Sequence, residues 1–174
     1  MHPLDPEIAT AFGQGERPLE TELVIRDGFD ELDKDDAVRF FSGKTWADVL
    51  AHLRALKDAP VFRGAYHHEE WSVLSPQSLA YYARAYLECL HETLAAPQPD
   101  EEFVFYFLGA LHQVFYMHKG SPFDPVQTNA LRGIVERVRD KAAALESFDY
   151  FVEDIRLQAE QVLTGMDDSG GNRR

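Results

Sequence analysis

Three stretches of this 174-residue chain hold side chains able to do chemistry. The first, Ser42-Gly43-Lys44-Thr45, contains the Gly-Lys-Thr that ends a phosphate-binding loop. A complete loop of that kind needs a glycine five residues earlier and a strand in front, so that backbone N–H groups cradle the phosphates. Val38 occupies the earlier position, and the residues before Gly43 have a helical pattern. A simpler reading covers every residue: Gly43 ends one helix and Thr45 caps the next.

The second stretch, His67-His68-Glu69-Glu70, offers four metal-ligating types in a row. A catalytic zinc site takes about three protein ligands and an open position. Ligands on a helix recur at i, i+3 or i+4, and here they are consecutive. His91, His112 and His118 can join them only through the fold. A solvated loop is expected, with no metal and no cofactor.

The third is His112-Gln113, set within Phe103–Met117, FVFYFLGALHQVFYM. A polar ring buried among Phe and Leu needs a hydrogen-bond partner. Tyr82, Tyr86 and Tyr106 are the candidates, which makes His112, Tyr82, Tyr86 and Tyr106 the ligand-binding set. An enzyme would use His112 as general base beside a tyrosine. No nucleophile or acid is spaced to support that, so no catalytic residue is assigned. Tyr81, Tyr116, Trp46 and Trp71 suit a pocket, a protein-binding surface or the margin of a helical core.

The elements that must position these residues are helical. Residues 103–117 are apolar almost all round, and such a helix must be covered on all sides. Asp100, Glu101 and Glu102 suit its N-terminus, while His118, Lys119 and Gly120 suit its end. Ahead of it, residues 3–14 read as a short helix carrying Ile8, Ala11 and Phe12 on one side. Leu23-Val24-Ile25 fits a brief extended segment or a packed loop. Asp33, Asp35 and Asp36 open a helix that ends at Gly43. Thr45 and Asp48 form a capping box for a helix with Trp46, Val49, Leu50, Leu53 and Leu56 in one stripe. Ser75-Pro76 starts a helix to about Ala96, with Leu79, Tyr82, Ala83, Tyr86 and Leu90 facing inward. Asp124, Pro125 and Gln127 start another, along Leu131, Ile134, Val135, Val138, Ala142 and Leu145. Ser147 caps the last, along Phe148, Phe151, Val152, Ile155, Ala159 and Val162. From Gly165 the chain turns polar and Gly-rich, which predicts disorder.

The expected fold is all-α: one helical bundle over residues 1–164, about six or seven helices around a buried central one, with a disordered tail over 165–174. Hydrophobic residues make up 45% of the chain, enough for a substantial core. The single cysteine, Cys89, cannot form an internal disulfide and reads as core filler. Fifteen apolar residues at about 1.5 Å each fall short of the ~30 Å hydrocarbon layer, so no membrane span is expected. The N-terminus lacks a signal-peptide pattern, which points to the cytoplasm. Thirty acids against 17 Lys and Arg give a charge of −13. That argues against nucleic acid, whose phosphates need clustered cations, and fits a basic protein partner.

Two segments together resemble an uncharacterised bacterial family, domain of unknown function 6714. They are Phe40-Phe41-Ser42-Gly43-Lys44-Thr45-Trp46, and Leu74-Ser75-Pro76 through Tyr81-Tyr82 to Ala85-Tyr86-Leu87. The order is similar too: an opening helix ending in Ala11-Phe12, an acidic connector, F-x-G-K-x-W, then L-S-P and a tyrosine-rich helix. The likeness covers about residues 7–140 and implies a bacterial, cytoplasmic, helical protein without transferable catalytic residues. Two functions follow as expectations. One is a non-enzymatic protein-binding module, of the type that neutralises a toxin. The other is a small-molecule-binding protein or enzyme with a pocket near His112 and the tyrosine-rich helices.

Overall fold

The computed structural model of the chain describes residues 6–13, 15–25, 31–56, 66–67, 69–96, 100–118, 121–144 and 152–171. Among these are seven α-helices: α1 (Pro6–Phe12), α2 (Glu31–Phe41), α3 (Trp46–Leu56), α4 (Pro76–Ala95), α5 (Glu101–Met117), α6 (Pro125–Ala144) and α7 (Val152–Gly171). The fold is an all-α bundle. The chain divides into two compact units, Met1–Glu92 and Thr93–Arg174.

The first unit is held together by contacts between distant parts of the chain. Leu23 closes a 3-10 turn over Glu20–Glu22, and Val24 then pairs with Leu74 in one antiparallel bridge. The Ile25 N–H donates to the Val73 carbonyl at 2.8 Å, and the Ser75 N–H to the Leu23 carbonyl at 3.0 Å. A 3-10 turn at Glu69–Val73 buries Trp71 and delivers the chain to α4. The Ser78 N–H donates to Ser75 Oγ at 3.2 Å, so Ser75 is the N-cap and Pro76 the first helical residue, which lacks the N–H that would otherwise be orphaned. Leu79, Tyr82, Ala83, Tyr86 and Leu90 line the buried side of α4. Cys89 is buried there too and forms no disulfide.

The second unit contains α5, α6 and α7. Asp100 caps α5 by accepting from the Phe103 N–H at 3.0 Å. Asp124 and Gln127 form a reciprocal box on α6, at 2.8 and 3.2 Å. Gly109 of α5 lies beside Gln158 of α7, and Phe115 beside Gly165. Numbers rise together along both helices, so α5 and α7 run parallel. Arg132, early in α6, donates to Asp167, late in α7, at 2.6 Å, so those two run antiparallel. The unit is therefore an up-down-up arrangement, as the short link between α5 and α6 requires.

Two expectations need correcting here. The cover on α5 is one-sided rather than complete. Phe103, Val104, Phe107, Leu108, Ala110, Leu111, Val114 and Phe115 are buried, in the three-and-four rhythm of an amphipathic helix. Phe105, Tyr106, Gly109 and His112 are half-buried, and Gln113 and Tyr116 are exposed. Tyrosine, glutamine and histidine tolerate that side because their polar ends reach water. The last helix also continues to Gly171, past the Gly165 at which disorder is expected. Two neighbours hold residues 165–167, where Met166 is buried: Phe115 packs against Gly165, and Arg132 donates to Asp167. The expected cap Ser147, with Phe148, Phe151 and Leu145, lies outside the described residues.

Candidate functional site

The polar groups of the first unit converge where α2 meets α3. Gly43 takes φ +74°, the left-handed turn that ends α2 and suits a residue without Cβ. Thr45 then caps α3. Its N–H and Oγ1 donate to Asp48 Oδ2 at 2.8 and 2.7 Å, and the Asp48 N–H donates back to Thr45 Oγ1 at 3.2 Å. The Thr45 bonds hold the Asp48 carboxyl below the usual range. The helix N-terminus that a phosphate would use is thus occupied by the chain's own carboxylate, and the Gly-Lys-Thr resemblance has a structural cause. Lys44 points elsewhere: its ammonium lies 3.7 Å from the centroid of the Phe40 ring. Burial lowers its pKa, against the pull of Asp48.

The other face of Phe40 is taken by His67. The two rings stack at 3.6 Å with 15° between planes. An ammonium and an imidazole at those distances cannot share one face, so Phe40 is sandwiched. His52 approaches Phe40 at 5.0 Å and 63°, and lies 5.8 Å from His67. His67 has φ +53°, in the left-handed region, which few L side chains enter and where Asn, Asp and His are the ones enriched. Three contacts hold it there: the stack, Nδ1 against Glu70 Oε1 at 3.0 Å, and a backbone clamp. The clamp is the Tyr86 hydroxyl, which donates to the Tyr66 carbonyl at 2.8 Å and the His67 carbonyl at 3.4 Å. Sequence spacing (40, 44, 52, 67) carries no signal for this cluster, because α2, the turn after it, α3 and the segment before Glu69–Val73 each supply one residue.

The predicted ligand-binding residues fall as follows. Tyr82 and Tyr86 are buried in the first unit, and both hydroxyls serve the backbone. Tyr82 donates to the carbonyls of Phe41 at 2.9 Å and Lys44 at 3.1 Å, tying α4 to the joint between α2 and α3. Burial first, then the neighbouring Tyr81, pushes the Tyr82 phenol up to about 12; burial pushes Tyr86 well above its ordinary value. His112 and Tyr106 belong to the second unit, half-buried and six residues apart on α5, about one and two-thirds turns. Tyr106 sits edge-on to Phe105 at 5.5 Å. The tyrosines of α4 are spent on carbonyls in their own unit rather than on an imidazole. His118, at the end of α5, is lowered by burial.

Of the run His67-His68-Glu69-Glu70, Glu69 is exposed, His67 pairs with Glu70, and His68 lies outside the described residues. Among the described residues no group of three or more His, Cys, Asp or Glu is placed to hold a metal ion. No helix among them is long and apolar enough to cross a membrane. Comparison with family models, with curated proteins and with solved structures gives no match. The resemblance to domain of unknown function 6714 therefore rests on the residues that carry it.

Proposed function

We propose that this chain is a non-enzymatic, cytoplasmic binding module for a basic protein, of the bacterial type that neutralises a toxin. One observation carries the reading. The chain has a charge of −13, and in its first unit Glu31, Asp33, Asp35 and Asp36 are all exposed along α2. Two of these are answered by neighbours, Glu31 by Lys34 and Asp36 by Arg39. The Asp36–Arg39 pair is exposed on both sides and so holds weakly, and a stronger cationic surface can displace Arg39. A concentration of one sign of charge also raises the rate of encounter with an oppositely charged protein. Asp30 lies outside the described residues, and Glu70 is engaged with His67, so α2 is the face the reading uses.

The experiment is affinity capture from the cognate cell lysate at low salt. A basic protein should be retained, and released near 1 M salt, where the screening length falls to about 3 Å. The triple variant Asp33→Asn, Asp35→Asn, Asp36→Asn should capture it at least tenfold less. Capture that ignores both salt and the triple variant would refute the reading.

The reading as a small-molecule-binding protein or enzyme around His112 has less behind it. The hydroxyls of Tyr82 and Tyr86 already have carbonyl partners, which leaves His112 and Tyr106 of the set. A metabolite that raises the melting temperature, and fails to do so in His112→Ala, would move the balance toward it.

A further inference from the structure

We draw no further inference here: the strongest candidate, the half-open face of α5 that carries Tyr106, His112, Gln113 and Tyr116, is a surface patch for which nothing in the structure shows what covers it.

Discussion

Replacing Tyr82 by Phe removes a single oxygen and tests whether that hydroxyl is structural. The ring would keep its packing, including the contact with Phe41 at 4.6 Å between centroids, so no cavity opens. What is lost is a donor to two carbonyls. The Phe41 carbonyl keeps the Lys44 N–H at 3.1 Å and is not orphaned. The Lys44 carbonyl loses its bond to the phenol. A hydrogen bond contributes about 0.5–1.5 kcal/mol net, and a buried acceptor left without a partner costs about 1–3 kcal/mol. The Lys44 carbonyl is only part-buried and can take water instead, so the expected loss is about 0.5–1.5 kcal/mol. Both tryptophans, Trp46 and Trp71, lie in the first unit, so their fluorescence during urea unfolding reports that unit directly. The midpoint should fall while the slope with urea stays constant, the sign of a stability change without a change in exposed surface. Tyr116→Phe is the control, since Tyr116 is 76% exposed and should stay within about 0.5 kcal/mol of the parent. A Tyr82→Phe variant that unfolds with the parent would refute the structural role and return the hydroxyl to the pool of groups available for a ligand.

The remaining predictions concern charge, backbone and core. Raising the pH should destabilise the fold: the unfolded phenol ionises near 10, while Tyr82 in the fold holds its proton to about 12. The unfolded state thus binds fewer protons across that window, stability falls as pH climbs through it, and urea midpoints in Tyr82→Phe should fall less steeply. Gly133 lies inside α6, and a Cβ added there would meet nothing within 4 Å, so changing it to Ala should gain about 0.5–1 kcal/mol in a thermal melt. Gly109→Ala should gain a similar amount, because the added methyl meets only the flexible Gln158 amide at 3.6 Å; a loss would mean that the helices approach more closely. Phe107→Ala, at a fully buried position, should lose about 3–5 kcal/mol by chemical denaturation, and a loss under about 1 kcal/mol would remove Phe107 from the core.

Local punctuation is legible in the sequence because its causes are local. Thr45 with Asp48, Ser75-Pro76 and Asp124-Pro125 with Gln127 each satisfy orphan N–H groups by bonds spanning three residues, and the structure has all of them. The extent of α7 is not legible. Its final turns contain Gly165, Ser169 and Gly170, poor helix formers, and the turn at 165–167 is held by Phe115 and Arg132, which only packing brings to it. The open side of α5 escapes a sequence reading for a related reason. Counting Phe, Tyr and Met as equally apolar hides that Tyr116 can stand in water, whereas Phe107 and Phe115 cannot do so without loss.

The candidate site shows the same division between near and far in the chain. A buried imidazole needs a partner, and by sequence alone three tyrosines can supply one. Two of them are claimed by demands that the sequence does not display. The turn between α2 and α3 leaves the Phe41 and Lys44 carbonyls facing α4, and the left-handed residue His67 leaves the Tyr66 carbonyl facing it one turn further along. Tyr82 and Tyr86 stand four residues apart, one helical turn, so a single stripe of α4 meets both demands. Each hydroxyl has one proton and, once that is given to a carbonyl, can donate to a ligand only by unfastening a turn. Their burial serves the same end: it keeps the phenols protonated, and a phenolate could not donate at all. The rings of Tyr82 and Tyr86 thus fasten the turn between α2 and α3 and the segment at Tyr66-His67 to α4.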